Sequence, residues 1–158
     1  MADSGAASGD RVQTMAAQGL VNWFVRGLLR TPVVARGIGA RLLVLYVVGR
    51  KSGKRYIVPV AYTEHDGSLL VGTPFGWARN LRTGEPVTVR FKGRRRTADV
   101  QVLTDEAAVV DGYAVIARDN RNFAGFNKIG FDPAGNPEAA DLHRAWETGA
   151  RVIRLTLH

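Results

Sequence analysis

The apolar residues recur in two different patterns along the chain. Residues 20–31 follow helical spacing, and the side chains that share one face are Leu20, Val21, Phe24, Val25 and Leu28. Arg26 and Arg30 lie on the opposite face, and Pro32 cannot continue a helix. The pattern therefore predicts an amphipathic helix over 20–31, preceded by a flexible tail over 1–19. Because Trp23 lies on this basic helix, two locations stay open: packing on its own domain, or peripheral contact with a membrane.

Beyond Pro32 the pattern changes to that of strands. Runs rich in Val, Ile, Leu and Tyr predict strands over 41–48, 56–65, 68–74, 86–91, 97–104 and 150–157. Asp66-Gly67 is a short-turn signal, and most of the other connections are also short. About six mostly antiparallel strands predict an α+β fold with a barrel or strongly coiled sheet. We expect residues 20–158 to form a single domain.

The connections between the strands give four further predictions. Residues 77–84 fit two helical turns that end at Gly84. Thr104 followed by Asp105 and Glu106 indicates an N-cap, which starts a helix that runs to about Ala117. Residues 118–137, rich in Gly and Asn, are interpreted as a long ordered loop, and 138–146 as a short helix.

Composition restricts the partners. The 158 residues include 22 Lys and Arg against 14 Asp and Glu, a formal charge of +8, which favours anionic partners: nucleic acid, an acidic membrane surface or a polyanionic small molecule. The chain has no cysteine, and its three histidines match no ligand spacing, so no metal site is expected. No apolar run reaches the ~20 residues of a membrane span. The first residues lack a signal-peptide pattern, which predicts a cytoplasmic protein, with the inner face of the membrane as an alternative.

The sequence "GRKSGKR" places four cations between two apolar strands: Arg50, Lys51, Lys54 and Arg55. Gly49 and Gly53 would let backbone N–H groups turn toward an anion, and the cations would add charge-assisted hydrogen bonds. Such a loop suits phosphate, although a solvated hairpin tip has the same composition. Two further basic groups follow, with Arg79 and Arg82 near Trp77 and Asn80, and with Lys92, Arg94, Arg95 and Arg96 in a predicted turn.

These motifs, in this order, resemble the deazaflavin-dependent nitroreductase family. The resemblance rests on "GRKSG" after an apolar strand, Pro59 in the next strand, Trp77, Asn80 and Leu81, and then "PVTVRFKGRRRTADV". It covers about Leu42 to Leu103. Members are split β-barrel proteins that bind coenzyme F420, a deazaflavin that carries a phosphate and an oligoglutamate tail. The segment before Trp77 departs from the family pattern, since only "GTPFG" stands where members have a longer glycine-rich stretch.

The resemblance implies a function and a site. Hydride would pass from reduced deazaflavin to a quinone, a nitroaromatic or an enone, with the protein supplying orientation and water exclusion. The implied cofactor-binding residues are Arg50, Lys51, Ser52, Gly53, Pro59, Thr73, Trp77, Asn80 and Leu81. The substrate-side candidates are Tyr113, Phe123 and Phe126, and no catalytic residue is assigned.

The same sequence fits several alternatives. The chain could be a noncatalytic binder of F420 or of a fatty acid or lipid within the same fold, and flavin mononucleotide is the alternative cofactor. A nucleic-acid-binding barrel is disfavoured, because no aromatic residues interleave the basic turns. The sequence predicts neither the oligomeric state nor the electron acceptor.

Overall fold

A computed structural model describes residues 41–158. The predicted tail over 1–19 and the predicted helix over 20–31 lie outside these residues. The described part contains a single sheet of seven strands. The strands are β1 (Leu42–Val48), β2 (Arg55–Ala61), β3 (Thr63–His65), β4 (Ser68–Thr73), β5 (Val87–Phe91), β6 (Arg94–Leu103) and β7 (Arg151–Leu157). A 3₁₀-helix spans Gly76–Asn80, and three α-helices follow: α1 (Glu106–Asp119), α2 (Arg121–Phe126) and α3 (Ala139–Glu147).

The sheet curls into a split β-barrel. Its strand order is β2-β1-β5-β6-β7-β4-β3, and every pairing is antiparallel. The two edge strands, β2 and β3, are consecutive in the chain and separated only by Tyr62. In a flat sheet, six intervals of about 4.8 Å would hold these edges about 29 Å apart, whereas the two Cα steps from Ala61 to Thr63 span only about 7 Å. The edges must therefore meet, which confirms the expected fold class.

One core fills the interior of the barrel. Along β1, Leu43, Leu45 and Val47 point inward and are at most 1% exposed, whereas alternate residues face outward. The same alternation in β5 buries Val87 and Val89. These side chains pack into a cluster that also includes Ala78 of the 3₁₀-helix and Leu81, the residue that follows this helix. The barrel interior therefore reaches the segment that carries the candidate site.

A second core lies between the helices and strands β4 and β7. Leu70 and Val152 point away from the barrel interior and join Val109, Tyr113 and Ile116 of α1. Helix α1 lies close on β7, because a Cβ at Gly112 would be 2.8 Å from Val152 Cγ2. Strands β4 and β7 thus contribute side chains to both cores, with Leu69, Val71, Ile153 and Leu155 on the barrel side and Leu70 and Val152 on the helix side.

The strand predictions need two corrections. The predicted strand over 56–65 is two strands, which raises the count from about six to seven. The chain changes sheet edge at Tyr62, whose N–H donates to the Arg41 carbonyl at 3.0 Å and whose ring packs edge-on against Phe91 at 5.2 Å. The predicted basic turn is also shorter, because Arg94, Arg95 and Arg96 belong to β6 and pair with β5.

The helix predictions need corrections at three positions. Asp105, not Thr104, caps α1, since its carboxylate accepts from the Ala108 N–H at 3.1 Å. The predicted loop over 118–137 contains α2, because Asn120 Oδ1 accepts from the N–H groups of Asn122 and Phe123 and starts a helix there. The predicted helix over 77–84 is the 3₁₀-helix Gly76–Asn80. Within residues 41–158, no helix is long and apolar enough to cross a membrane.

Candidate functional site

The basic loop, residues 49–54, is a tight turn between β1 and β2. The Gly49 N–H donates to the Lys54 carbonyl at 2.7 Å, and the Gly53 N–H donates to the Gly49 carbonyl at 2.8 Å. A Cβ at Gly49 would lie 2.7 Å from Ser52 Oγ, so the turn is closely packed there, and Gly53 adopts a φ of +69° that favours glycine. Arg50, Lys51 and Ser52 are exposed at the tip. The turn therefore presents two cations and a hydroxyl group to solvent on a hydrogen-bonded backbone.

Asn80 connects the basic loop to the 3₁₀-helix. The Arg50 N–H donates to Asn80 Oδ1 at 3.1 Å, and Asn80 Nδ2 donates to the Trp77 carbonyl at 3.1 Å. The Arg50 guanidinium adds a third bond, from Nη1 to the Arg79 carbonyl at 3.1 Å. Because the amide oxygen accepts and the amide nitrogen donates, both ends of the Asn80 side chain are used. Arg50, Trp77 and Asn80, three residues predicted from sequence, thus belong to a single hydrogen-bonded unit.

The 3₁₀-helix is held by the barrel core. Ala78 is 0% exposed and Leu81 is 8% exposed, and both belong to the core cluster of the barrel. Trp77 is half-buried and packs against the same cluster. Its Nε1 is buried, and within residues 41–158 it has no hydrogen-bond partner. A buried indole N–H without an acceptor costs free energy unless a ligand or water accepts from it.

Thr73 shapes the turn that leads into this helix. It is 3% exposed at the end of β4, and its Oγ1 accepts from the Phe75 N–H at 3.1 Å. Phe75 then faces Phe126 at the end of α2, with ring centroids 6.1 Å apart and planes inclined by 36°. Phe126 is 40% exposed. Phe75 of the short "GTPFG" segment, two positions before Trp77, is therefore paired with an aromatic ring that is exposed at the surface.

The other two substrate-side candidates lie deeper. Tyr113 is 0% exposed in the helix-side core, and Phe123 packs edge-on against it at 4.9 Å. Both rings rest on the backbone of β4, since a Cβ at Gly72 would lie 2.6 Å from Phe123 and 2.9 Å from Tyr113. Burial raises the pKa of the Tyr113 hydroxyl well above its ordinary value. Of the three candidates, Phe126 is the one at the surface.

Pro59 lies apart from the hydrogen-bonded unit. It lies on β2, where it pairs with Val44 of β1. Because β2 is an edge strand of the sheet, the missing N–H of proline is tolerated there. Among the other basic residues near the site, Arg82 forms an ion pair with Glu85 at 3.9 Å. The basic residues of β6 belong to a different hairpin, in which the Lys92-Gly93 turn joins β5 to β6.

Sequence reasoning missed two contributors to the site. Phe75 is not among the predicted residues, although an aromatic residue two positions before Trp77 is visible in "PFGW". The Arg79 carbonyl accepts from Arg50, and no sequence pattern marks a main-chain acceptor. Fold and site together define a split-barrel protein in which a cationic turn is hydrogen-bonded to an aromatic 3₁₀-helix.

The family follows from comparison of the sequence with family models. The model for F420H(2)-dependent quinone reductase matches residues 21–122, so the chain belongs to that family. The expected relationship to deazaflavin oxidoreductases is thereby confirmed, and the chain belongs to a family of enzymes. No curated protein sequence matches the chain.

Solved structures give more distant matches. An F420-H2 dependent reductase is 13% identical, with 72% of this chain and 93% of that chain covered and a TM-score of 0.45. A protein described as an F420 reductase is 12% identical, with 75% and 87% covered and a TM-score of 0.44. A pyridoxamine 5'-phosphate oxidase-related, FMN-binding protein from Nostoc punctiforme is 13% identical, with 78% of each chain covered and a TM-score of 0.48.

Proposed function

We propose that this chain binds reduced coenzyme F420 across the basic loop and the 3₁₀-helix and reduces a quinone-type acceptor. The observation that carries the proposal is the hydrogen-bonded unit of Arg50, Asn80 and Trp77. It joins a cationic turn to an aromatic surface, and a deazaflavin has one anionic end and one planar aromatic end. The family match over residues 21–122 supports the same ligand.

The basic loop fits the anionic end. Arg50 uses Nη1 on the Arg79 carbonyl, and this bond holds the guanidinium in place while its other N–H groups remain for a ligand. Lys51 and Ser52 are exposed beside it. Charge-assisted hydrogen bonds from Arg and Lys are among the strongest that a phosphate or carboxylate accepts without a metal. We therefore assign Arg50, Lys51, Ser52 and the Gly53 turn to the phosphate or the glutamate tail.

The 3₁₀-helix fits the planar end. Trp77 offers a half-buried indole whose N–H is unpartnered within the described chain, and Leu81 closes the core beneath it. Thr73 fixes the turn at the opening of this segment. When bound, the deazaflavin supplies the hydride, and the chain supplies orientation and exclusion of water. Reduction of a carbonyl acceptor also needs a proton, which no residue of this unit is assigned to deliver.

The aromatic pair Phe75 and Phe126 fits the acceptor. Both rings lie beside the 3₁₀-helix, one at its N-cap and one at the end of α2. Planar acceptors such as quinones, nitroaromatics and enones stack on aromatic rings in offset geometry. We favour a quinone because the matching family is named for quinone reduction.

A fluorescence titration tests the cofactor assignment. Purified wild-type protein is titrated with F420 and, separately, with flavin mononucleotide, at the same moderate salt concentration. We expect tighter binding of the deazaflavin, and we expect Arg50→Ala/Lys51→Ala to weaken it by about a hundredfold, since two charge-assisted bonds of ~1.5 kcal/mol each are lost.

A matched variant controls for net charge. Arg94→Ala/Arg118→Ala removes the same two charges at exposed positions of β6 and α1. Its affinity for F420 should stay near that of the wild type. Equal losses in both double variants would mean that only the overall charge matters, and unchanged affinity in Arg50→Ala/Lys51→Ala would refute the assignment of the loop.

The acceptor assay separates an enzyme from a binder. With saturating reduced F420, a reductase consumes cofactor when a soluble quinone is added, whereas a noncatalytic protein of this fold binds the cofactor without turnover. Tighter binding of flavin mononucleotide in the titration would instead assign the site to a flavin.

A further inference from the structure

Two rows of side chains cross strands β1, β2, β5 and β6 on the side of the sheet opposite the barrel core. Residues that oppose each other directly across two strands point to the same side of the sheet, so the strand pairing defines both rows. The first row consists of Pro59, Val44, Arg90 and Arg95, and the second of Ile57, Tyr46, Thr88 and Thr97. Leu45, Val89 and Phe91 alternate with them and are buried in the barrel. The two arginines therefore lie side by side on the outer side of the sheet.

Tyr46 holds both of these arginines in place. Arg90 Nε donates to the Tyr46 hydroxyl at 3.3 Å, and Arg90 Nη1 donates to the Gly93 carbonyl at 3.4 Å. The Arg95 guanidinium lies 4.6 Å from the centroid of the Tyr46 ring, which is a cation–π contact. The hydrogen bond from Arg90 and the nearby positive charges lower the pKa of Tyr46. Two guanidinium groups are thus fixed beside a single phenol.

The pairing of Arg90 with Arg95 is unfavourable by itself. Like charges directly opposite each other on neighbouring strands destabilise a sheet. Within residues 41–158, no carboxylate forms an ion pair with either arginine. The acidic residue of these four strands is Asp99, about 13 Å along β6 from Arg95, and it contacts His158 Nε2 at 2.6 Å. An anion from solution would balance both charges.

We propose that Arg90, Arg95 and Tyr46 form a binding site for a phosphate dianion, either free phosphate or a phosphomonoester. Arg90 keeps its Nη2 group for a ligand, and Arg95 contacts Tyr46 through the face of its guanidinium, which leaves N–H groups at its edge. The Tyr46 hydroxyl accepts from Arg90 and can donate its own hydrogen. The exposed Thr88 and Thr97 add hydroxyl groups on the same side of the sheet.

The charge and shape of a phosphate match this set of donors. A phosphate monoester carries a charge of about −1.5 to −2 at neutral pH and has three strong acceptor oxygens. Two fixed guanidinium groups supply the opposite charge, and charge-assisted hydrogen bonds to phosphate are among the strongest that arginine forms. Such a ligand would convert the repulsion between Arg90 and Arg95 into a favourable interaction.

Other anionic partners fit these residues less well. A carboxylate carries one charge, so it balances only one of the two arginines. A phosphodiester of nucleic acid also carries one charge, and nucleic-acid surfaces stack bases on free aromatic faces, whereas Arg95 covers a face of Tyr46. A second copy of the chain would bring the same arginines against one another across a twofold axis. The doubly charged phosphate group is therefore the favoured ligand.

The proposed phosphate site is separate from the proposed deazaflavin site. Arg90 pairs with Val44, and Val44 lies about 13 Å along β1 from Val48, after which the basic loop begins. Its three residues lie on strands β1, β5 and β6, whereas the hydrogen-bonded unit lies in the basic loop and the 3₁₀-helix. Phosphate binding therefore does not require F420 binding, and either can be lost without the other.

Titration of the full chain with inorganic phosphate tests the proposal, with phosphorus NMR and calorimetry as the readouts. In a phosphate-free buffer of about 0.15 M salt, we expect saturable binding with a Kd of about 1 mM or lower. Sulfate, a tetrahedral dianion, should compete, and acetate should bind at least tenfold more weakly. Phenyl phosphate separates the two sources: tighter binding than inorganic phosphate would assign a phosphomonoester whose body contacts Val44, and equal binding would assign free phosphate.

Three variants locate the site. Arg90→Gln/Arg95→Gln should weaken phosphate binding at least tenfold, because the charge-assisted hydrogen bonds are lost. Tyr46→Phe should weaken it by about threefold, because the ring remains for Arg95 while the hydroxyl is lost. Lys92→Gln/Arg94→Gln removes two charges from the same hairpin, at its turn and on the other side of β6, and should bind phosphate within twofold of the wild type.

Thermal unfolding separates a lost site from a misfolded variant. Phosphate should raise the Tm of the wild type and of Lys92→Gln/Arg94→Gln, because a ligand that binds the folded state stabilises it. Arg90→Gln/Arg95→Gln should unfold cooperatively with a Tm that phosphate leaves unchanged. All three proteins should bind F420 with the same affinity.

Several results would overturn the proposal. The wild type would show no saturable phosphate binding, or Arg90→Gln/Arg95→Gln would bind phosphate as tightly as the wild type does. Equal binding of acetate and phosphate would reduce the site to a general positive potential. Displacement of phosphate by F420 would assign the arginines to the glutamate tail of the deazaflavin, and binding of duplex DNA below the Kd for phosphate, lost in the same variant, would assign them to nucleic acid.

Discussion

Replacing Asn80 with alanine tests whether the basic loop is held in position by the 3₁₀-helix. The substitution removes two hydrogen bonds, from the Arg50 N–H to Oδ1 and from Nδ2 to the Trp77 carbonyl, each 3.1 Å long. It leaves the charges of Arg50 and Lys51 in place. Any loss of deazaflavin affinity therefore comes from loop order and not from lost charge.

The size of both effects follows from the hydrogen bonds. A hydrogen bond contributes about 0.5–1.5 kcal/mol net, and the groups involved here are only partly buried, so Asn80→Ala should lower the free energy of unfolding by about 1–2 kcal/mol. For a chain of this length that corresponds to a decrease in Tm of roughly 3–6 °C. If a disordered loop must then be ordered on binding at a cost of about 1.4 kcal/mol, the Kd for F420 rises about tenfold.

The assay combines thermal unfolding with F420 fluorescence titration. Asn80→Asp is informative beside Asn80→Ala, since it keeps the acceptor for Arg50 but loses the donor to the Trp77 carbonyl. It should bind F420 no more tightly than Asn80→Ala, because the new carboxylate repels both the Trp77 carbonyl and an anionic cofactor. Asn136→Ala, in an exposed turn before α3, makes the same change of side chain as a control and should change neither quantity.

One result would refute the reasoning. If Asn80→Ala lowers Tm as expected but binds F420 within twofold of the wild type, the loop does not need the 3₁₀-helix to bind its ligand. The hydrogen-bonded unit would then be structural, and the cations alone would account for binding.

Three further predictions concern the packing, the acceptor and the pH dependence. Gly72→Ala should lower the free energy of unfolding by about 1–3 kcal/mol in urea denaturation, because the new Cβ would lie 2.6 Å from Phe123; an unchanged midpoint would contradict the close packing. Phe126→Ala should raise KM for a quinone severalfold and leave the Kd for F420 unchanged, with Phe126→Leu intermediate; equal KM values would remove Phe126 from the acceptor site. Hydrogen bonds to Glu106 and then Glu147 raise the pKa of His143 above 6.5, so its stabilising contribution is complete below that pH and is lost as pH rises through the raised pKa. The decrease in Tm from pH 6 to pH 8.5 should therefore be smaller in His143→Gln, and an identical decrease would contradict the contact.

The strands were predictable because their apolar residues alternate or form continuous runs. β1 has Leu43, Leu45 and Val47 inward, and a single-face pattern of this kind determines which side of a strand is buried. The division of the run 56–65 was not predictable, since it depends on where the two sheet edges meet. Nothing in the local sequence marks Tyr62 as that point, because its burial against Phe91 is a long-range contact.

The site was partly predictable for a similar reason. Residue types identified the basic loop, since four cations around two glycines are visible in one short stretch. The bond between the Arg50 N–H and Asn80 spans 30 positions and needed the fold. Phe75 and Phe126 come from separate elements, and only the tertiary arrangement places their rings 6.1 Å apart.

The most direct test of the central claim is the oxidation of reduced F420 by a soluble quinone in the presence of the purified wild-type protein. The reappearance of oxidised F420 absorbance gives the rate. We predict protein-dependent turnover that saturates with the quinone and falls strongly in Arg50→Ala/Lys51→Ala at subsaturating cofactor, but not in Arg94→Ala/Arg118→Ala. Cofactor that binds tightly while the rate stays at the protein-free background, across quinones of different size, would contradict the claim that the chain is a reductase of this kind.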